Sequence, residues 1–231
     1  MTDNSKDEFI EIARIKEEFI ANASHELKTP IASVRLAAES ALTSLERDDG
    51  MTKSFLEQIL RDSDRMNELI SDLLDLSAME SSDVFMEAFD LHDVIANEIS
   101  YLSKQNKKRI SYKKKKVEIN ANFDDISLAV KNLIKNALKY SPPEENILIQ
   151  IEENDKSVRC SFQDFGSGIS KSDQEKIFER FYRVDKGRSR KVGGTGLGLA
   201  IVKHALDRNN AVIEIVSELD HGSNFTIVFE K

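Results

Sequence analysis

The sequence predicts an all-α first third followed by an α+β remainder, with the boundary between residues 83 and 84. Apolar residues recur at 3-4 spacing as far as Ser77 and then give way to short alternating stretches bounded by turn residues. Charge divides at the same place. Residues 1–83 carry 9 basic and 19 acidic side chains, whereas residues 84–231 carry 24 basic and 22 acidic. A chain of 231 residues, 40% apolar, has the length for two small domains and the material for their cores.

Between Phe9 and Leu45 there is no glycine and a single proline, Pro30. Phe9, Ile12, Lys16, Phe19 and Ala23 follow one 3-4 seam, apolar except at Lys16, and Ile31, Val34, Ala38, Ala41 and Leu45 form a second. The stretch ERDDGMT, residues 46–52, reads as a turn, after which Leu56, Ile59, Ser63, Met66, Ile70, Leu73 and Ser77 resume the 3-4 period. The result is a helical hairpin. Leu60, Leu69, Leu74 and Leu76 widen the second stripe beyond what one antiparallel partner covers, so a homodimeric four-helix bundle is expected. In the remainder, helices are predicted at 92–105, 125–140, 172–181 and 196–209, and strands at 110–119, 146–152, 157–163, 212–217 and 224–229. Hairpin-like strand pairs with helices between them fit a helix layer on one mixed sheet.

Several classes of function are excluded. The longest uncharged stretch, residues 192–202, is 11 residues with four glycines, too short to cross a bilayer. The N-terminus lacks the basic-then-apolar order of a secretory signal. The single Cys160 cannot form an internal disulfide and fits a reducing, cytoplasmic setting. A net charge of −8 argues against general nucleic-acid binding. The run of eight basic residues from Lys104 to Lys116 reads as solvated strand and loop.

Four clusters carry chemistry. The segment FIANASHELKTPIASV places His25 in mid-helix, Glu26 beside it and Thr29 one turn on, on the same face as His25. An imidazole is largely neutral near pH 7 and offers a lone pair to phosphorus, while a carboxylate at the other ring nitrogen fixes the tautomer and accepts the proton. Pro30 gives no N–H to the carbonyl of Glu26, so a bend is expected near the histidine. The second cluster, NLIKNALKYSPP, sets Asn132, Asn136 and Lys139 on one polar stripe, where an amide oxygen can ligate Mg²⁺ and an ammonium can meet phosphate. In the third, QDFGSGIS, Asp164 ends a strand as an acceptor for an exocyclic amine, and Gly166 and Gly168 let backbone approach a ligand. The fourth, VGGTGLGLAIVKH, opens an apolar helix with glycines whose free amides suit phosphates. Between the last two lies IFERFYRVDKGRSRK, an aromatic anchor followed by a basic lid. Taken singly, each cluster has a structural reading: a filler histidine, a solvated stripe, a turn, a packed helix start. His92, His204 and His221 lack metal-ligand spacing and read as structural.

In chain order HELKTP, NLIKNALKYS, DFGSGI, IFERFYR and GGTGLGLAIVKH resemble the H, N, G1, F and G2 boxes of bacterial sensor histidine kinases of two-component systems. The resemblance covers nearly the whole chain from about Arg14. It implies that residues 1–83 are the dimerisation and histidine-phosphotransfer hairpin, and that residues 84–231 are an α/β-sandwich ATP-binding catalytic domain of the gyrase, Hsp90 and histidine kinase type. It further implies an ATP-dependent protein-histidine kinase that phosphorylates His25 and passes the phosphoryl group to the receiver domain of a response regulator. On this resemblance Glu26 is the general base and Thr29 positions water for a phosphatase activity. Asn136 holds Mg²⁺, Asn132 and Lys139 lie near the phosphates, and Tyr140 lies against the base. Asp164 with Gly166 and Gly168 takes the adenine end, and Gly194, Thr195, Gly196, Leu197 and Gly198 surround the phosphates. Two departures are Asn209-Asn210, where the family often has Gly-Gly, and Phe165, where a small or polar residue is usual. The opening KDEFIEIARIKEEF looks like the end of a signalling coiled coil, so the chain is expected to be the cytoplasmic core of a longer membrane sensor.

Overall fold

The computed structural model describes residues 3–48, 50–184 and 194–231. It resolves into two compact units, one of residues up to Ser71 together with Gly194 and Thr195, and the other of the remaining described residues from Asp72 to Lys231.

The first unit is the expected hairpin. Helix α1 (Asp3–Arg47) runs without interruption through Pro30, and helix α2 (Thr52–Ser81) returns after a turn in which Asp48 and Gly50 take φ of 53° and 74°. Polar rungs tie the two helices together: Thr52 donates to Ser44 Oγ at 3.0 Å, Gln58 to Ser33 Oγ at 3.1 Å and Arg65 to Glu26 at 2.9 Å. Ala37, Ala41 and Leu69 are buried, but Leu36, Leu42, Leu56 and Leu60 each remain more than half exposed. The hairpin therefore keeps apolar surface that its own two helices do not cover. No described helix is long and apolar enough to cross a membrane.

The second unit begins with the last turns of α2. Strand β1 (Glu87–Asp90) pairs antiparallel with β3 (Glu118–Ala121), and a five-stranded sheet has the order β2-β4-β5-β7-β6. Its strands are β2 (Ile110–Tyr112), β4 (Ile147–Glu153), β5 (Ser157–Asp164), β6 (Ala211–Glu218) and β7 (Gly222–Glu230). Only β2 with β4 is parallel; the other neighbours are antiparallel. Helices α3 (Leu91–Ser100), α5 (Phe123–Tyr140) and α6 (Gly198–Arg208) form the layer, with a short α4 (Lys104–Lys108) before β2. Alternation drives the core: Ile147, Ile149 and Ile151 of β4 and Val158, Cys160 and Phe162 of β5 are buried, facing Ile126, Leu133 and Ile134 of α5 and Ile201 and Leu206 of α6. Burial pushes the Cys160 thiol far above its ordinary range, and no disulfide involves it.

The sequence reading differs from this structure in four places, one of them β1, where the sequence predicts no strand. The predicted strand 110–119 is two strands in different sheets, because Lys113 to Lys116 offer no apolar face and repel one another. The predicted helix 92–105 is α3 and α4, separated where Ser103 caps the second by accepting the N–H of Asn106. Residues 172–181 form turns and a 3-10 segment (Lys176–Phe178) in place of an α-helix. There Ser170 donates to Asp173 at 2.6 Å, and Phe181 sits at φ 65°, which ends any helical run.

The Asn209-Asn210 departure acquires a role. Asn210 takes the left-handed conformation at φ 51°, while the buried Asn209 side chain donates to Asp125 Oδ2 at 3.1 Å and to the Ala205 carbonyl at 2.7 Å, and accepts the Asn122 N–H at 2.6 Å. Arg208 completes the network, reaching Asp125 at 3.0 Å, the carbonyl of Met79 and the carbonyl of Ser82 at 3.2 Å. Asn209→Ala leaves a buried carboxylate and an amide short of partners, so urea unfolding should report a loss of about 2–3 kcal/mol. Asn210→Ala, which strains only the backbone, should lose about 1 kcal/mol.

Candidate functional site

In the first unit, His25 projects from an exposed position on α1, and Thr29 is exposed one turn beyond. The Thr29 hydroxyl donates to the His25 carbonyl at 3.2 Å, the back-bond that a helical threonine makes when no better acceptor is near. Glu26 is turned into the hairpin. Its Oε2 accepts from Arg65 of α2 at 2.9 Å, the two side chains being 27% and 20% exposed. The sequence places Glu26 beside the imidazole but gives no sign of Arg65, since an ion pair across two helices leaves no local periodicity.

In the second unit, α5 gathers the remaining clusters. Asn122 caps its N-terminus by accepting the Asp125 N–H at 2.9 Å, with Asp124 and Asp125 favourably placed in the first turn. Asn132 is buried, and its amide donates to the Leu128 carbonyl at 2.9 Å, which leaves Oδ1 facing the start of α6. A Cβ on Gly198 would lie 3.0 Å from that oxygen and 4.0 Å from Asn136 Nδ2. The glycine thus seats the free amides of the α6 N-terminus beside both asparagines. Leu197, which precedes α6, is fully buried and anchors it; Thr195 is buried but belongs to the first unit. Gly196 stands against Phe181, whose N–H donates to the Gly196 carbonyl at 2.9 Å. Lys186 to Lys191, the predicted basic lid, and Gly193 lie outside the described residues.

At the other end of α5, Lys139 Nζ lies 5.6 Å from the centre of the Tyr140 ring, which is half exposed. A Cβ on Gly166 would collide with the Tyr140 carbonyl, so only glycine lets the loop after β5 pack there. Gly168, at φ 65°, meets the Glu218 carbonyl in the same way. Asp164 is 5% exposed and accepts the Gly166 N–H at 2.9 Å. Burial raises its carboxyl above the ordinary 3.8, partly offset by hydrogen bonds from Gly166 and Ser223. Ser141, which the sequence reading passed over, is buried and accepts the Phe165 N–H at 3.0 Å, fastening the end of α5 to the loop that carries Asp164. Phe165 itself is 37% exposed beside that carboxylate.

The arrangement sets Asp164, Tyr140 and Lys139 at the C-terminal end of α5 and the N-terminus of α6 beside Asn132 and Asn136. It suits a nucleotide with a phosphate chain. Among the described residues no group of three His, Cys, Asp or Glu side chains could hold a metal ion.

Comparison with known proteins decides the family. Residues 15–82 match the His Kinase A (phospho-acceptor) domain, and residues 121–231 match the histidine kinase-, DNA gyrase B- and HSP90-like ATPase domain. The chain belongs to the sensor histidine kinases of two-component systems. The sensor-like histidine kinase SenX3 of Mycolicibacterium smegmatis is 34% identical over 92% of this chain and 56% of its own length. The phosphate regulon sensor protein PhoR of Pseudomonas aeruginosa is 36% identical over 95% of this chain and 51% of its own length. The chain therefore spans about half the length of these curated relatives. Among solved structures, the histidine kinase ThkA in complex with the response regulator TrrA has a TM-score of 0.74 at 20% identity, over 96% of this chain and 63% of that one. AdeS of Acinetobacter baumannii gives 0.66 at 22%, over 89% and 97%. These two likenesses establish the fold, a helical hairpin followed by an α/β sandwich with a mixed sheet.

A raised carboxyl pKa contributes stability that is complete below the unfolded value and is lost as pH rises through the folded one. In the nucleotide-free protein, the stability of the native chain relative to Asp164→Asn should therefore fall as the pH rises from the ordinary 3.8 upward, then level off once the carboxyl is ionised. Urea titrations across the acid range measure this, and a difference independent of pH would remove Asp164 as its source.

Proposed function

We propose that this chain is the ATP-dependent protein-histidine kinase core of a two-component sensor, which phosphorylates its own His25 and passes the phosphoryl group to an aspartate on a response regulator. The strongest support is the convergence on α5: Asn132 and Asn136 against Gly198, and Tyr140 against Gly166 beside the buried Asp164. Adenine fits the Asp164 end, where the carboxylate accepts from its exocyclic amine, with Tyr140 flanking the base. The triphosphate runs toward Lys139, Gly194 and the α6 N-terminus.

The residues near Gly198 also fit Mg²⁺. A glycine leaves room beside Asn136 and Asn132, and an amide oxygen is a hard, neutral ligand that a hydrated cation accepts alongside phosphate oxygens. Bound there through Asn136, the ion would neutralise charge on the phosphates. In the transfer step an imidazole nitrogen of His25 attacks the γ-phosphorus, the bond to the bridging oxygen breaks, and ADP leaves. Glu26 takes the ring proton on Oε1, its Oε2 being engaged by Arg65. Lys139 holds the phosphate oxygens by charge. Thr29 has no part in that step; in a separate phosphatase reaction its hydroxyl aligns the water that attacks the regulator's phospho-aspartate, releasing inorganic phosphate and the free carboxylate.

A homodimer is the natural cover for the exposed Leu56, Leu60, Leu36 and Leu42, and the match to the His Kinase A domain supports it. The named complex of ThkA with a response regulator supports a response regulator as the partner of this chain. Relatives named as sensors, about twice this chain's length, support attachment to a sensor segment; a membrane anchor for that segment, with this core on the cytoplasmic side, is part of the proposal.

Incubation with labelled ATP should give an acid-labile, base-stable phosphoprotein, and His25→Ala should abolish the label while ATP binding persists. Label retained in that variant would sink the proposal. Thr29→Ala should leave His25 labelling near the native rate while slowing loss of label from the regulator by about 5- to 150-fold, the effect of one positioning hydrogen bond. If both activities fall together, Thr29 supports the helix before Pro30 instead.

A further inference from the structure

Helix α5 ends in a sequence that cannot satisfy its own carbonyls. The last turn of a helix relies on N–H groups four residues on, and the groups that would answer Leu138 and Lys139 belong to Pro142 and Pro143, which have none. Ser141 is the last residue to close a turn, its N–H meeting the Ala137 carbonyl at 3.1 Å. Four carbonyls at and after this helix end, those of Leu138, Ser141, Pro142 and Glu145, converge on Arg109, which stands 29 positions before Leu138, between α4 and β2.

The guanidinium meets four of them. Nε donates to the Glu145 carbonyl at 3.2 Å, Nη1 to Leu138 at 3.1 Å, and Nη2 to Ser141 at 3.3 Å and Pro142 at 2.8 Å. The backbone of Arg109 adds a fifth link, its carbonyl accepting the Ile147 N–H at 2.7 Å where β2 and β4 begin their parallel pairing. A positive charge at a helix C-terminus also complements the helix dipole. No other residue of the basic run does this. Lys104, Lys107, Lys108, Lys113, Lys114 and Lys116 are exposed, whereas Arg109 is half-buried.

The segment that Arg109 holds is the one the nucleotide site is built on. It carries Lys139 and Tyr140, its Ser141 hydroxyl takes the Phe165 N–H, and its Tyr140 carbonyl is the surface on which Gly166 closes. Asp164 hydrogen-bonds that same glycine. Arg109 has no line to the ligand itself; it stands behind the turn.

We propose that Arg109 is a positioning residue for ATP binding, fixing the Tyr140–Pro142 turn and through it the adenine end of the site. This deepens the ATP-binding reading above and rests on it. Four acceptors in different directions require the planar fork of a guanidinium, and a single ammonium on a shorter set of donors meets only part of them. Arg109 therefore acts on nucleotide affinity more than on the transfer step, which takes place at the phosphate end.

The test compares ATP affinity with turnover. Arg109→Ala should raise the KM for ATP in His25 labelling, and the Kd for a fluorescent ATP analogue, by roughly 5- to 30-fold, while the rate at saturating ATP stays within about twofold. Arg109→Lys should fall between. Guanidinium at low millimolar concentration should restore much of the affinity of Arg109→Ala, and sodium at equal ionic strength should not. Lys108→Ala, one residue away and exposed, should leave both constants unchanged. A folded Arg109→Ala with native KM and Kd would overturn the proposal, as would a lowered saturating rate at unchanged KM, or an affinity loss that Lys108→Ala reproduces. If Arg109→Ala does not fold, the comparison is made with Arg109→Lys and Arg109→Gln, in which native affinity would be equally fatal. The unaltered protein is assayed first: failure of that protein to bind ATP would remove the ATP-binding reading itself, and this inference with it.

Discussion

The second unit depends on how closely other backbone can approach α5. Its apolar face is committed to the sheet through Ile126, Val130, Leu133 and Ile134, so its polar face and its C-terminal end are what remain for chemistry. Two glycines exploit them. Gly198 brings the start of α6 against Asn132 and Asn136, and Gly166 lays the loop after β5 on the Tyr140 carbonyl. A side chain at either position would push one wall of the cleft outward, at Gly166 against rigid backbone. The polar groups at those walls are fixed in turn: Asn132 by Leu128, Asp164 by Gly166 and Ser141 by Phe165. The polar groups of the proposed nucleotide site are therefore held in place by hydrogen bonds, which suits binding that relies on pre-placed dipoles.

The hairpin follows a different economy. Its interior contains alanines, serines and an Arg–Glu pair, while many of its leucines face outward. Small residues let α1 and α2 approach closely, and hydrogen bonds between side chains fix their register, but neither buries much apolar area. A helix pair built this way gains most from what covers its outer face. Glu26 belongs to the inner, fixed set and His25 to the exposed set, although they are adjacent in sequence.

Much of this was legible in the sequence, for reasons that lie in locality. Helical periodicity located α1, α2, α5 and α6, strand alternation located β4, β5, β6 and β7, and glycines marked the close approaches at Gly166 and Gly198. What escaped was set by distant partners. Strand β1 is four residues long and forms only because β3 offers a ladder. Lys113 to Lys116 lie within a stretch whose ends looked like strand, and nothing local says that two sheets divide there. Arg65 and Arg109 are single cations among many, distinguished only by acceptors 39 and 29 or more residues away. Asn209 looked like a tolerated substitute for glycine, yet its amide joins Asp125 and Asn122 from across the fold.

Cys160 lies in the middle of β5 between Val158 and Phe162, with no exposed surface and a thiol held protonated by its surroundings. Thiolate is the form that reacts with maleimides and iodoacetamides, so the native chain is silent to these reagents while folded. The protein is thus a ready host for site-directed probes. A cysteine introduced at a solvent-facing position such as Tyr101 would be the sole reactive thiol, and a spin label or fluorophore could be attached there without first removing a core residue.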